Sequence, residues 1–328
     1  MIYNCYPNIC NYGGAQKVAF TIHRELNTLG YDSKFLSDTN YSQIHNKFKI
    51  SKSEYCQLSI NKFRNIKNEL FISHHRKHTT KFILLNKVFK LNNKIIHVAH
   101  NEFSTKKSLS LFPENIVAVS NKVRNNHSDY FGLDSKKIKV IYNGIKDEGV
   151  KQIKSINNNQ TINILIAARI NRIKMQVELF NFLEKKIPNN IHIYFAGIGE
   201  DYSKLKKKVE NSKNFTCLGF VDIKSIIEQM HFVMLFSKNE GLPLILLEAL
   251  MYGKPLIANN VGGNNEIIIN NFNGFLVNDL HNLVTCLDQT SGISQTIYTQ
   301  MCINARETYL EKFTLKTMLD SYLSYINE

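Results

Sequence analysis

The chain has 328 residues, of which 43% are apolar and 21% charged, so it is long enough for two domains and too apolar to be disordered. No signal-peptide pattern opens the chain and no apolar run reaches the roughly 18 residues of a spanning helix, so we expect a cytoplasmic protein. The net charge is +14, and residues 1–150 carry +12 of it, from 23 basic and 11 acidic residues. This asymmetry indicates an anionic partner, such as a nucleic acid or an acidic membrane, or only a solvated basic surface.

Short apolar runs alternate with amphipathic segments along the first half. A glycine turn at 13–14 precedes a predicted helix in which Val18, Ile22 and Leu26 recur at helical spacing. The runs ELFISHH, KIIHVAH, NIVAVS and KIKVIYNG follow, with a helical TKFILLNKVFKL at 80–91. This alternation predicts parallel strands joined by crossover helices.

The same alternation resumes after residues 146–160, which contain no apolar run and form the predicted linker. Strand and helix patterns follow one another from TINILIAAR to PLIAN, including a helix with Val177, Phe180 and Leu183 along one face. The sequence therefore predicts two doubly wound α/β halves with a cleft between them. In such sheets, ligands bind at the carboxyl ends of the strands.

Two glutamates eight positions apart stand out in NEGLPLILLEALMYGKPLIANNVGG, residues 239–263. Pro243 suits the first turn of a helix, so Glu240 precedes the helix and Glu248 lies roughly 7.5 Å along its axis. Free N–H groups around 241–245 form an anion site between the two carboxylates. This layout suits a sugar, a diphosphate and a ribose. The alternative is a chance pair of surface glutamates, but the leucines around Glu248 indicate a half-buried face where a carboxylate needs a polar partner.

Two further patterns bear on the same chemistry. Arg169 and Lys174 follow a predicted strand, where two cations could hold a diphosphate leaving group, although such pairs are commonly solvated. Gly13 and Gly14 follow the first strand, where glycine allows backbone to approach a phosphate or sugar closely.

In this order the motifs resemble those of the retaining GT-B glycosyltransferases of family four. EGLPLILLEALMYGKPLIA followed by VGGNNE resembles the glutamate–seven–glutamate motif of that family. YGGAQKV resembles its glycine loop, VAHN its first-domain histidine region, AARINRIK its R-x4-K element, and EKFTLKTMLDSY its C-terminal helix. The resemblance covers essentially the whole chain, with Gln16 in place of the usual Glu.

The resemblance implies an α/β GT-B fold, in which two Rossmann-like doubly wound domains face a central cleft. An acceptor-binding domain would span 1–150 and a nucleotide-sugar domain 157–305, with the C-terminal helix, 306–328, packed back on the first. By motif position, Glu240 would contact the donor sugar and Glu248 the ribose hydroxyls. The implied catalytic residues are Glu240, Arg169, Lys174 and His100. The implied donor-binding residues are Gly14, Gly219, Phe220, Val221, Gly241, Leu242, Pro243, Leu244 and Glu248, with Glu266 supporting the loop after the GG pair.

The family transfers with retention, which we expect to occur by front-face attack rather than through a covalent intermediate on Glu240. No D-x-D sequence is present, so neither a metal nor another cofactor is expected. The implied reaction moves a hexose from a nucleotide sugar, UDP-linked in our expectation, to a lipid-linked bacterial surface glycan. The alternative is a non-catalytic sugar-nucleotide-binding partner of a polysaccharide assembly complex. A nucleic-acid-binding protein would need interleaved aromatic and basic residues, which the chain lacks.

Basic residues beside His100 bear on the acceptor. Lys106 and Lys107 are predicted to meet anionic lipid or an acceptor diphosphate, at the inner face of the cell membrane. The segment 80–91 could lie on that surface or pack as a crossover helix.

Several histidines, cysteines and glycines were also considered for other roles. His100 itself could be only a core-edge histidine. HHRKH at 74–78 is predicted at a strand end or loop rather than at a metal, because it lacks the H-E-x-x-H pattern. The G-I-G at 197–199 lacks the third glycine of a dinucleotide fingerprint, and six scattered cysteines predict free thiols.

Overall fold

A computed structural model describes residues 1–149, 156 and 160–327, which divide into two compact units. Met1–Asn143 and Leu319–Glu328 form unit 1, and Gly144–Met318 forms unit 2. Most of the predicted linker, at 150–155 and 157–159, lies outside the described residues. Its beginning, from residue 146 on, belongs to unit 2, and the predicted C-terminal segment 306–328 is shared between the units.

Unit 1 contains a seven-stranded parallel sheet in the order β3-β2-β1-β4-β5-β6-β7. Along the chain, β2 and β3 are added on one side of β1, and β4 to β7 are then added in turn on its other side. β1 pairs with β4 in the centre, so the direction reverses between these two strands. The strands are β1 Ile2–Cys5, β2 Ser33–Ser37, β3 Tyr55–Gln57, β4 Leu70–Ser73, β5 Lys94–Ala99, β6 Asn115–Ala118 and β7 Ile138–Val140.

Four helices of unit 1 follow its strands. In the first, Val18, Ile22 and Leu26 are all buried, which confirms the predicted apolar face. The last begins after Ser120, whose hydroxyl accepts from the Val123 amide, and ends at Gly132 with φ +77°. The helices are α1 Gly14–Thr28, α2 Ile60–Phe63, α3 Arg76–Phe89 and α4 Asn121–Phe131.

The segment 80–91, predicted either to lie on a membrane surface or to pack as a crossover helix, lies largely within the crossover helix α3. It connects β4 to β5, and its Phe82 is fully buried in a cluster with Phe63 and Phe71. The predicted start at residue 80 is wrong, because the helix begins at Arg76. The segment therefore packs on the sheet, while its outer face leaves Val88 70% exposed.

Unit 2 contains a six-stranded parallel sheet in the order β10-β9-β8-β11-β12-β13. Here the direction reverses between β8 and β11, which pair at Phe232 with Ile164 and at Val233 with Leu165. The strands are β8 Ile162–Ala167, β9 Ile191–Ala196, β10 Phe215–Gly219, β11 Phe232–Leu235, β12 Leu256–Asn259 and β13 Gly274–Val277.

The helices of unit 2 flank this sheet. The predicted face of Val177, Phe180 and Leu183 is confirmed, because all three side chains lie in the main apolar core of the unit. A last helix begins in unit 2 and ends in unit 1. The helices are α5 Gln176–Leu183, α6 Tyr202–Val209, α7 Ile223–Ile227, α8 Leu244–Met251, α9 Asn264–Ile267, α10 Leu280–Ser291, α11 Gln295–Lys312 and α12 Leu315–Asn327.

Side-chain hydrogen bonds and ion pairs hold the first residues of unit 2 in place. The Arg306 guanidinium donates to both carboxylate oxygens of Asp147, at 2.9 and 2.6 Å. The next residue, Glu148, accepts from the Tyr252 hydroxyl at 3.1 Å and pairs with Lys224. All six cysteines are free thiols, as predicted. Within the described ranges, no helix combines the length and apolar character needed to cross a membrane.

Phe82→Ala should reduce the free energy of unfolding by about 3–5 kcal/mol, because it opens a cavity in the aromatic cluster of unit 1. Leu84→Ala is the matched control, since Leu84 lies on the same helix and is 50% exposed. Urea unfolding followed by circular dichroism measures both. Equal losses for the two variants would contradict the packing of α3 on the sheet.

Candidate active site

The reversal of strand order in unit 2 places two loops side by side. The loop after β8 carries Lys174, and the loop after the neighbouring strand β11 carries Glu240. Side chains that follow adjacent parallel strands at such a reversal meet at the carboxyl edge of the sheet. The fold thus brings together two residues that are 66 positions apart.

Glu240 and Lys174 form a partly buried ion pair at this edge. The Lys174 Nζ lies 2.5 Å from the Glu240 Oε1, and the Glu240 side chain is only 7% exposed. The Ser237 hydroxyl donates to the same Oε1 at 2.7 Å. Because a buried carboxylate without partners is expensive, these two contacts offset the cost of burying the Glu240 side chain.

Ser237 and the two asparagines behind it were not predicted from the sequence. Asn259 accepts from the Ser237 amide at 3.0 Å and donates to the Ser237 carbonyl at 2.7 Å. The Asn264 amide group donates in turn to the Asn259 carbonyl at 2.9 Å. This chain of hydrogen bonds fixes the backbone that presents the hydroxyl to Glu240. Its only sequence signal is a pair of asparagines around the VGG turn.

The GG pair after β12 packs directly on the Glu240 loop. Gly262 has φ +57°, and a Cβ atom there would lie 2.0 Å from the Glu240 carbonyl oxygen. The Gly263 amide donates to the Gly241 carbonyl at 2.9 Å. A side chain at 262 would push these two loops apart, so the close approach requires glycine. Glu266 follows in α9, where its amide bonds to Gly263 at 3.0 Å.

Glu248 lies on α8, as predicted. The helix begins at Leu244, immediately after Pro243, and no side chain caps its amino end. Glu248 is half-buried, and its neighbours Leu246 and Leu247 are fully buried. Gly241, Leu242 and Pro243 are buried and Leu244 is half-buried.

Arg169 is placed apart from the ion pair. Its guanidinium lies 3.3 Å from the Glu200 carboxylate, and both side chains are more than 60% exposed. An exposed pair of this kind contributes little to stability and separates easily. Arg169 is thus available to a ligand, whereas Lys174 is already held by Glu240.

The Gly219–Val221 segment follows β10. Gly219 has φ +70°, and its carbonyl accepts from the Gly197 amide at 2.7 Å. Phe220 is 64% exposed and Val221 is half-buried. The turn therefore presents an exposed aromatic ring at the carboxyl end of its strand.

A glycine loop and two histidines lie at the reversal of strand order in unit 1. The glycine loop follows β1, where Gly13 caps α1 and Gly14 is its exposed first residue. The Gln16 side-chain amide donates to the Asn8 carbonyl at 3.3 Å, across this loop. Two histidine side chains, His74 after β4 and His100 after β5, lie 2.9 Å apart between ring nitrogens.

The histidines at 74–78 have separate roles. His74 and His75 follow the strand, as predicted, but the other three residues form the first turn of α3. The His75 ring accepts from the Lys77 amide at 3.3 Å and caps the helix, while His78 bonds to Asp38 at 2.7 Å. Among the described residues, no group of three or more His, Cys, Asp or Glu side chains could hold a metal ion.

The loop after His100 carries exposed basic and apolar residues. Lys106 and Lys107 are both exposed, and Leu109, two residues further on, is 72% exposed. The loop is attached to α3, because the Leu111 amide donates to the Thr80 hydroxyl at 3.0 Å.

Two family models and several known proteins match this chain. The family model described as Glycosyltransferase Family 4 matches residues 12–148, and the one described as Glycosyl transferases group 1 matches residues 149–282. An uncharacterized 41.2 kDa protein in the cps region of Klebsiella pneumoniae is 29% identical over 266 residues, which are 72% of each chain.

A second relative has a more specific name. The UDP-Gal:alpha-D-GlcNAc-diphosphoundecaprenol alpha-1,3-galactosyltransferase of Escherichia coli is 27% identical over 215 residues, 57% of this chain. The match spans about half of that relative, 53% of its length. Among solved structures, Anabaena Alr3699/HepE in complex with UDP-glucose has a TM-score of 0.82 at 15% identity and covers 99% of each chain, which shows the same fold.

The two Rossmann-like parallel sheets, together with the likeness to solved structures, define a GT-B fold. The two family models together span most of the chain, and it belongs to the GT-B glycosyltransferases.

Ser237→Ala should reduce the free energy of unfolding by about 1.5–3 kcal/mol, because the buried Glu240 carboxylate loses a hydrogen-bond donor. Ser291→Ala is the control, since the Ser291 hydroxyl bonds only to an exposed helix carbonyl, that of Asp288. Chemical denaturation compares the two variants. A loss at Ser237 no larger than at Ser291 would show that Lys174 alone satisfies Glu240.

Proposed function

We propose that this glycosyltransferase is a retaining hexosyltransferase that uses a UDP-sugar. Its donor would be UDP-linked Gal, GalNAc, Glc or GlcNAc, and its acceptor a growing, lipid-linked glycan of O-antigen, capsule or lipooligosaccharide. The Lys174–Glu240 ion pair at the strand reversal of unit 2 carries this proposal. The activity of the Escherichia coli galactosyltransferase and the UDP-glucose bound to Anabaena Alr3699/HepE support the donor and acceptor classes.

The charges of the site suit the charges of the reaction. Glycosyl transfer builds positive charge on the sugar ring and negative charge on the departing diphosphate. Lys174, Arg169 and the uncapped amino end of α8 would stabilise the diphosphate. The Glu240 carboxylate would face the positive charge near the anomeric carbon. Because Glu240 and Lys174 are already held against each other before the reaction, little reorganisation of this pair is needed in the transition state.

Retention by front-face attack fits the state of Glu240. The Oε1 atom of this carboxylate already accepts from both Lys174 and Ser237, which lowers its reactivity as a nucleophile. In our proposal the acceptor oxygen bonds to the anomeric carbon as the bond to the diphosphate breaks. The acceptor proton passes to the departing phosphate oxygen, so no enzyme nucleophile is required.

The remaining donor contacts are assigned by position. Glu248 would accept from the ribose hydroxyls, and Gly219, Phe220 and Val221 would adjoin the base. We propose metal-independent transfer, because fixed cations and helix amides can neutralise the diphosphate. From unit 1, His100 and Gly14 would contact the reacting sugar.

We also propose that unit 1 binds an anionic membrane surface peripherally, at the inner face of the cell membrane. Lys106 and Lys107 adjoin the exposed Leu109, and the attached helix α3 exposes Lys87 and Val88. Basic residues interspersed with exposed apolar ones suit acidic headgroups above an acyl layer. The charge of +12 on residues 1–150 also favours binding to an anionic surface.

The full chain should release UDP from one UDP-hexose in the presence of EDTA and transfer the sugar to a hexose-diphosphate-lipid acceptor. Glu248→Ala should weaken binding of that donor about 10- to 100-fold in calorimetry, through the lost hydrogen bonds to ribose. Glu311→Ala, an exposed glutamate of α11, is the matched control.

Several outcomes would contradict this proposal. Donor affinity unchanged in Glu248→Ala would refute the ribose role. Donor binding without any transfer would favour the non-catalytic partner, and activity abolished by EDTA would refute metal independence. The anomeric coupling constant of the product, measured by NMR, decides between retention and inversion.

Lys106→Glu combined with Lys107→Glu should reduce cosedimentation with vesicles containing acidic phospholipid at least about tenfold at low salt, because each lysine contributes about 1 kcal/mol near such a surface. Lys207→Glu combined with Lys208→Glu, on the exposed side of α6 in unit 2, makes the same charge change. Equal losses for both double variants would indicate a general charge effect. Unchanged binding of the first would place the membrane contact elsewhere.

A further inference from the structure

A pair of histidine rings lies at the strand reversal of unit 1. His74 directly follows β4, and its amide donates to the Cys5 carbonyl at the end of β1, at 3.0 Å. His100 directly follows β5. The His74 Nδ1 lies 2.9 Å from the His100 Nε2, and the ring centroids are 5.2 Å apart. The two side chains are thus hydrogen-bonded to each other at the edge where a doubly wound sheet binds ligands.

Both rings are neutral at physiological pH. Burial lowers the pKa of His100 to about 3, with a smaller contribution from His75. Burial also holds the pKa of His74 well below its usual range, and neighbouring His100 and His97 lower it further. A neutral imidazole carries one N–H, so a single hydrogen occupies the bond between the rings. The tautomer of one ring therefore determines the tautomer of the other.

Two arrangements of this hydrogen are possible. If His100 Nε2 donates, His74 must carry its own hydrogen on Nε2. That atom is buried and has no hydrogen-bond partner among the described residues. If His74 Nδ1 donates, the same buried atom is only an unused acceptor. An orphaned buried N–H is rarer than an unused acceptor, so the second arrangement is favoured.

We propose that His74 is a positioning residue that holds His100 in the tautomer with hydrogen on Nδ1. His100 then presents an N–H donor to a hydroxyl oxygen of the reacting sugar. Its Nδ1 has no partner among the described residues, and the side chain is half-buried, so it is accessible to a ligand. The role of His74 is new, and it rests on the proposed contact between His100 and the sugar.

The same arrangement excludes His100 as the general base. Its Nε2 lone pair is occupied by the His74 hydrogen, and its Nδ1 already carries a hydrogen. A ring with a pKa of about 3 also binds a proton too weakly to remove one from an acceptor hydroxyl near neutral pH. The acceptor proton must therefore go to another group, which in the proposed mechanism is the departing phosphate.

The tautomer can be measured in the free protein by ¹⁵N NMR of the histidine rings. His100→Gln assigns the signals of that ring by their loss. We expect a protonated Nδ1 and an unprotonated, hydrogen-bonded Nε2 at His100. His74→Leu should abolish this preference. A protonated His100 Nε2 in the wild type, or a tautomer unchanged in His74→Leu, would overturn the proposal. This measurement needs no substrate, so it stands even if the transfer reaction is different from the one proposed.

Kinetics tests the consequence for function. His74→Leu should lower kcat/KM about tenfold or more, whereas His74→Asn should retain most of it, because its amide places a donor near the position of Nδ1. His127→Leu is the control, since that histidine is buried in unit 1 and bonds instead to the Val123 carbonyl. Equal losses of kcat/KM in His74→Leu and His74→Asn, or a loss in His127→Leu as large as in His74→Leu, would contradict positioning by hydrogen bond.

Discussion

The geometry of unit 2 depends on one buried carboxylate. Removing Glu240 from water is costly unless its charge is matched, and Lys174 and Ser237 both meet its Oε1 atom. These partners come from two loops, so satisfying one charge fixes both loops relative to each other. Gly262 extends the constraint to a third loop, because only a residue without a side chain fits against the Glu240 carbonyl. The edge of the sheet is thereby preorganised for a charged ligand.

The two units solve the problem of buried polar groups differently. Unit 2 keeps opposite charges and pairs them, which suits a donor with a diphosphate. Among the described residues, no carboxylate pairs with His74 or His100 at the strand reversal of unit 1, and burial keeps both rings neutral. A single hydrogen bond joins the two rings, and it fixes the direction of their N–H groups rather than a charge. Fixed N–H donors of this kind suit uncharged sugar hydroxyls.

Much of the fold could be predicted from periodicity. Buried strands appeared as short apolar runs, and the faces of α1 and α5 appeared at helical spacing, because burial selects apolar residues at those intervals. The start of α3 was placed four residues too late. His75 caps that helix through its ring nitrogen, and histidine is not among the residues that usually mark a helix start.

The sequence by itself indicated the class of the protein and singled out Glu240, Glu248, Lys174 and His100 as candidate site residues, because these lie within local motifs of fixed spacing. Only the tertiary structure decided which of them meet. It joined Lys174 to Glu240 across 66 positions, left Arg169 with Glu200, and placed His74 against His100 across 26. Such contacts depend on strand order and loop packing, which a linear pattern does not encode.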